Sequence, residues 1–359
     1  MSSPYEKLPP RAFWRRSVTS VPNFLLDPVA SASFKITASD RVATAGSCFA
    51  QNISRAIQAK GFSYLVTEQG AEWPLQERAR RNFGVYTARF GNVYTVRQMR
   101  QLIERAYGWS SYNLAPWRRP DGRWVDPFRP NIEPDGFESE AALNDEREKH
   151  LRAVREMFGT LDVLVFTLGL TEGWEHIQSG ASLPLAPGVS GGDWDPTAYI
   201  FVNYKLEQIL TDLQIFFARL RSINAAAKML LTVSPVPLIA TYSPNSVLSA
   251  TTYSKSVLRV AAEDFSQNNK GVDYFPSFEI INNPAVGNRY FESDFRSIRP
   301  EGVAHVMRVF FKHYVDFDRS EAESPAISRE DLLKKLETAR SVNNFKVVCD
   351  EQSIEKNLT

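Results

Sequence analysis

The sequence predicts an α/β protein with a largely parallel central sheet, and three observations carry that expectation. Residues 42–45, 162–168 and 228–233 are short apolar or β-branched runs without the alternation of a half-exposed strand, as strands covered on both faces require. Each leads on to a segment whose apolar residues recur at helical spacing. Each also stops at glycine, serine or proline, and open parallel sheets bind their ligands at such carboxyl ends. Strand, helix and strand in repetition imply right-handed crossovers.

The whole chain narrows the function classes. Its 359 residues carry 42 Lys and Arg against 41 Asp and Glu, a net charge of +1, so no general attraction to nucleic acid or anionic membrane follows. Two cysteines, Cys48 and Cys349, about 300 residues apart, form no disulfide framework and suit a reducing compartment. Residues 1–10 lack an apolar signal core, and no apolar run approaches the ~20 residues of a membrane span. A soluble, cytoplasmic protein is expected, and no motif calls for a cofactor or a metal.

Residues 1–39, rich in proline and aromatics without a period, are expected to form an irregular leader. The main domain is expected over residues 40–318. Its first unit is a strand that ends at Gly46, a Ser47-Cys48 turn, and a helix from about residue 49 to 60 with Phe49, Ile53, Ala56 and Ile57 on one face and Gly61 as its stop. Backbone N–H groups at such a helix start favour an anion or a thiolate. Ser47 as an N-cap and Cys48 as a small buried apolar residue is the equally available structural reading.

Residues 62–66 are a second candidate strand. Gly91 and Asn92, before a helix that Thr95 can cap (about 96–107), suit either an oxyanion site or a tight turn. The insertion at 108–137 interleaves Trp109, Trp117 and Trp124 with prolines and Arg118, Arg119, Arg123 and Arg129, which fits a substrate wall or packing equally well. A helix over about 138–158 is expected to turn Glu146 and Arg147 to solvent. The strand at 162–168 ends in Gly169, Leu170, Thr171 and Glu172, a second strand end of active-site character; His176 and the residues to Gly192 are expected as loop. Helices over about 199–223 and 253–265, a strand at 272–276, and a helix opened by Pro300 complete the domain. Residues 319–359, charged and with Leu332, Leu333 and Leu336 at helical spacing, are expected as an appendage.

Residues 46–50, Gly-Ser-Cys-Phe-Ala, are the signature of the GSCFA family, which the chain resembles from about residue 40 to 315; residues 82–95, 167–172, 234–237 and 274–279 agree further. The family is similar to the SGNH, or GDSL-like, hydrolases. That resemblance implies a three-layer, flavodoxin-like α/β/α fold and an esterase or acyltransferase acting through a covalent acyl intermediate. Laid on the Gly-Asp-Ser turn of those enzymes, Cys48 takes the nucleophile position, with Ser47 as second choice. Gly46, Gly91 (or Gly84), Asn92, Gly169, Thr171 and Glu172 then fall at oxyanion or substrate positions. Where the superfamily has Asp-x-x-His, this chain has Arg299 in the histidine's place. Asp294 and His305, eleven residues apart, are the implied substitutes, with His305 as base and Asp294 orienting it. A small-molecule or carbohydrate ester, polysaccharide esters included, is the implied substrate class. The competing reading is a catalytically degenerate ligand-binding protein of the same fold.

Overall fold

The computed structural model describes residues 3–316 and 347–356. The chain divides into two compact units, a larger one of Ser39–Tyr274 with Val347–Thr359 and a smaller one of Met1–Ala38 with Phe275–Lys346.

In the larger unit β1 (Val42–Gly46) leads to α1 (Ala50–Ala59), then α2 (Leu75–Arg80) and α3 (Val96–Ala106). Thr95 opens α3 with a capping box: its hydroxyl accepts from Gln98 N at 3.2 Å, and the Gln98 amide oxygen accepts from Thr95 N at 2.9 Å. The short strands β2 (Trp117–Arg118) and β3 (Trp124–Val125) pair antiparallel. Next come α4 (Glu140–Thr160), β4 (Val163–Leu168), β5 (Glu172–His176), β6 (Ser182–Leu183), β7 (Tyr199–Asn203), α5 (Leu206–Ile223), β8 (Lys228–Val233), α6 (Val247–Asn268) and β9 (Val272–Tyr274).

The central sheet has the order β1-β4-β8-β9 and is parallel throughout, which bears out the expected α/β class. Gly46 lies beside Thr167, and Thr167 beside Thr232, so three strands end level. Every residue of β1 and β4 is buried. On the other edge of β1, Tyr64 forms one parallel bridge with Val42. The chain therefore steps one way through α1 and the opposite way through β4, β8 and β9. Right-handed crossovers then place α1 on one face and α4, α5 and α6 on the other, giving α/β/α layering with a reversal of direction at β1 and β4. Phe158 of α4 meets Phe216 of α5 edge to face at 5.9 Å, a contact contributing about 0.5–1.5 kcal/mol beyond its buried area.

Several expectations need correction. Residues 62–66 make a single bridge rather than a strand, held by Val42 N to Ser63 O and Leu65 N to Val42 O, both 2.9 Å. Residues 172–203 contain an antiparallel sheet, β6-β5-β7, in place of a loop. Tyr199–Asn203, aromatic and β-branched, pairs with β5, so the helix begins only at Leu206. Ser246 caps α6 through Leu248 N, which starts that helix well before Tyr253. Trp117 is buried with Leu114, Val125, Ala181 and Leu183, so it packs a small core.

In the smaller unit, short helical turns at Pro10–Ala12, Arg15–Thr19 and Asn23–Leu25 precede α7 (Ser277–Asn282) and α8 (Pro300–Tyr314). Ile36 bridges Val315 in parallel, and Phe275, Phe310 and Tyr314 stack into an aromatic core. The leucines at 332, 333 and 336 lie outside the described residues. A last helix, α9 (Gln352–Lys356), belongs to the larger unit.

Candidate active site

Gly46 makes the turn after β1 sterically unique. Its φ is +137°, and a Cβ there would lie 2.2 Å from the Thr167 carbonyl oxygen. Ser47 N donates to that same oxygen at 3.3 Å, tying the turn to β4. Ala50 N to Ser47 O (2.9 Å) and Gln51 N to Cys48 O (3.3 Å) then wind the chain into α1. The N-cap is Phe49, without a side-chain cap, so Ser47 does not cap the helix. Ser47 Oγ is buried and has no hydrogen-bond partner among the described residues; the same holds for Thr167 Oγ1 and Tyr94 OH. Cys48 is 7% exposed.

The Gly91-Asn92 segment is laced across the two strand ends. Val93 N donates to Gly46 O at 2.8 Å, while Tyr94 O accepts from Gly169 N and Leu170 N at 3.1 and 2.9 Å. A Cβ at Gly169 would stand 3.0 Å from Tyr94 O and 3.2 Å from Ser47 Cβ, so any side chain there would push on the turn. Gly91 adopts φ +74° and supplies the bend that turns Asn92 inward, whereas Gly84, at φ +77°, has nothing within 4 Å of a would-be Cβ. The Asn92 side chain is buried, and its amide nitrogen donates to Val348 O at 3.1 Å and to the Asp350 carboxylate at 2.9 Å.

A buried charge network supports this segment. Arg89 donates to Glu133 and Glu146, its backbone N–H donates to Glu68, and Glu68 meets His150 Nδ1 at 2.8 Å. Arg129 pairs with Asp126 at 2.9 Å and donates to Arg89 O, and Arg147 holds the other Asp126 oxygen at 2.9 Å. Burial pushes the Asp126 carboxyl up, but Arg147, Arg129 and Arg105 outweigh it and hold it well below the usual range. Burial, then Arg129, lowers His150 to about 4. Glu146 and Arg147 are thus inward-facing ions, contrary to the solvated face expected of their helix.

The turn after β4 is gripped by α6. Thr171 N donates to Ser254 Oγ at 3.0 Å, and Lys255 Nζ donates to Gly169 O at 2.7 Å. The Thr171 hydroxyl donates to Asn203 at 2.7 Å, so it anchors β7 rather than offering a donor to a ligand. Glu172 accepts from Thr241 Oγ1 at 2.7 Å, and burial pushes its carboxyl up. It lines a cavity of about 330 Å³ walled by Trp174, Trp194, Phe201 and Tyr242. Trp174 touches the other three rings at centroid distances of 5.1, 5.7 and 4.9 Å.

The sequence profile of the GSCFA family matches residues 41–310. The chain belongs to the GSCFA family. No curated protein sequence matches it. Among solved structures, it is similar to a family 3 carbohydrate esterase from Clostridium thermocellum, at 9% identity over 77% of this chain and 95% of that one, with a TM-score of 0.33. A mutant acetyl esterase with an acetate ion is similar at 11% identity over 67% and 92%, with a TM-score of 0.24.

In this GSCFA protein the expected Asp294–His305 pair does not form. His305, on α8 in the smaller unit, is 4% exposed. Its Nε2 lies 2.6 Å from Leu26 O and its Nδ1 2.7 Å from Tyr290 OH. A carbonyl can only accept, so Nε2 carries the proton and Nδ1 accepts from the tyrosine. Burial lowers this histidine to about 4. Asp294 is exposed and accepts from Arg296 N, Ser297 N and Ser297 Oγ, closing its own turn. His176 is bonded to Ser179, and His313 to Asp27.

Three residues near the turn escaped the sequence reading: Gln51, Asn131 and Asp350. Gln51 follows Cys48 by one helical turn, a spacing visible in the sequence. Asn131 and Asp350 come from an insertion and from the far C-terminus, where no local pattern signals them.

Proposed function

We propose that this GSCFA protein is an acyl-ester hydrolase or acyltransferase that carries its acyl group on Cys48. The observation that supports this most is the strand-end turn itself: a thiol at the start of α1, beside unspent hydroxyls, where the sheet reverses direction. The partial positive charge of the helix start favours the thiolate, which needs less help from a base than a serine does. The thiolate attacks the ester carbonyl and the C–O bond breaks, the alkoxide taking a proton from solvent as it leaves; water or a second hydroxyl then attacks the thioester, losing its proton to solvent as the C–S bond breaks and the thiolate is regenerated. Asn92 and the backbone of the turn are the donors for the oxyanion. Ser47 is the alternative nucleophile; its oxygen is buried in the same turn. The aromatic walls around Trp174 suit a sugar ring, which makes a carbohydrate-linked ester the proposed substrate class.

One observation favours a second reading, a ligand-binding protein that lacks turnover: His305 has both nitrogens satisfied within its own unit. The two are separated by Cys48→Ala and Ser47→Ala, each assayed with short aryl esters and a thiol-directed acylating probe. Cys48→Ala is expected to lower kcat/KM by about 10³-fold or more and to abolish covalent labelling of the peptide carrying position 48, read apart from Cys349 by mass spectrometry, with Ser47→Ala retaining that label. An unlabelled Cys48 peptide in a wild type that turns over the ester would remove the thiol from the mechanism. Absence of turnover in the wild type, with ligand binding intact, would establish the second reading.

A further inference from the structure

Residues 347–356 belong to the larger unit and take no part in the reaction proposed above, yet they are bonded to its candidate oxyanion group. Val348 is clamped on both sides by one glutamine: Gln51 Nε2 donates to Val348 O at 2.7 Å, and Val348 N donates back to Gln51 Oε1 at 3.0 Å. Two residues on, the carboxylate of Asp350 accepts from Asn92 Nδ2 through one oxygen and from Asn131 Nδ2 through the other, both at 2.9 Å. Glu351 and Ile354 then enter the lining of the aromatic cavity.

We infer that Asn92 and Asn131 form a carboxyl-oxygen-binding subsite, and that the C-terminal segment fills it with Asp350 as an intramolecular competitor of an acyl or carboxylate ligand. The chemistry of the donors fits. Two carboxamide N–H groups converging on two oxygens of one carbon are suited to an ester group or to the carboxylate left after its hydrolysis. Asp350 is buried, and no cation pairs with it among the described residues. An anion held there by neutral amides is costly to keep, and burial correspondingly raises its carboxyl. The carboxylate is therefore the costly contact of a segment otherwise held by the Val348 bonds to Gln51 and Asn92. The segment also shares surroundings with the nucleophile turn, because Gln51, which holds Val348, lies one turn along α1 from Cys48.

This inference rests on Asn92 serving the acyl oxygen, and its test uses a readout independent of turnover. In the full chain, the rate of alkylation of Cys48 by iodoacetamide is followed by peptide mass spectrometry, which separates it from Cys349. Asp350→Ala is expected to raise that rate by about tenfold, as loss of the segment's main anchor shifts its population outward. Acetate at high millimolar concentration is expected to slow the variant back toward the wild-type rate and to leave the wild type unchanged. Val348→Pro, which removes the N–H bonded to Gln51 and leaves Asn92, Asn131 and Asp350 unsubstituted, should act in the same direction and serves if Asp350→Ala does not fold. An unchanged Cys48 rate in a folded variant, or acetate without effect on it, overturns the inference. Alkylation consumes the thiol whether or not an ester is turned over, so failure of the acyl-transfer reading is seen separately in the aryl-ester assay.

Discussion

The Cys48 turn and the His305 environment are opposites in how they use their polar groups. In the turn, Ser47 Oγ, Thr167 Oγ1 and Tyr94 OH are buried without partners among the described residues. Around His305 every ring nitrogen has a partner, Leu26 O on one side and Tyr290 OH on the other. Buried hydrogen-bonding capacity left unmet within the protein carries a cost, and a catalytic role is one reason for a structure to retain it. A fully satisfied buried histidine, by contrast, holds structure together. On the function proposed above, the turn carries the chemistry and His305 holds its own unit together.

The strongest challenge to that assignment is Gly46→Ala. Its Cβ would press on the Thr167 carbonyl in a backbone region that L-residues avoid, and a loss of about 3–5 kcal/mol is expected in urea unfolding. A near-neutral result would show that the turn is not held as tightly as its geometry requires. His305→Asn should cost about 1–3 kcal/mol through the lost bonds to Leu26 and Tyr290. Ester turnover should be unchanged at a temperature where the variant stays folded; a collapse of kcat without a change in stability would instead make His305 a base.

Acid sharpens the same contrast. His305 and His150 are both lowered to about 4, below the ~6.5 of an exposed imidazole, so between those values the unfolded chain binds more protons than the folded one. Their contribution to stability is full above about pH 6.5 and is lost as pH falls toward 4. Thermal unfolding at a series of pH values should show this slope, and the share due to His305 should vanish in His305→Asn. The smallest effect is expected from Asp294→Ala, which opens an exposed turn at a cost of under about 1 kcal/mol and leaves turnover intact. Loss of activity there would restore the relay that the Asp294 contacts argue against.

Much of the sheet was legible because its signals are local. Residues 42–46, 163–168 and 228–233 are apolar runs with no alternation, and all three are strands of the parallel sheet. Thr95 announces its helix as a cap candidate, and the structure adds Gln98 as its reciprocal partner. The strand Tyr199–Asn203 was hidden because it abuts a longer helical period and makes sense only against β5, whose own partners lie far along the chain. The inward turn of Glu146, Arg147 and His150 was hidden for a different reason. A charged helix face is normally solvated, and only Arg89, Arg129, Asp126 and Glu68, brought in from three other segments, make it a buried one. In the site, Gly46, Cys48 and Gly169 could be read from strand ends. The union of Asn92 with Asp350 spans 258 positions and leaves no trace in either neighbourhood.

The charge network beneath Arg89 has a consequence for how the protein responds to its medium. Dissolved ions weaken exposed charge pairs over a Debye length of roughly 8–10 Å but reach buried ones poorly. The exposed Arg41–Asp162 pair is open to that weakening. Arg89, Arg129 and Asp126 lie at or near zero exposure, so the segment that presents Asn92 rests on ions that salt barely touches. The placement of that amide should therefore be the same in dilute buffer and in brine.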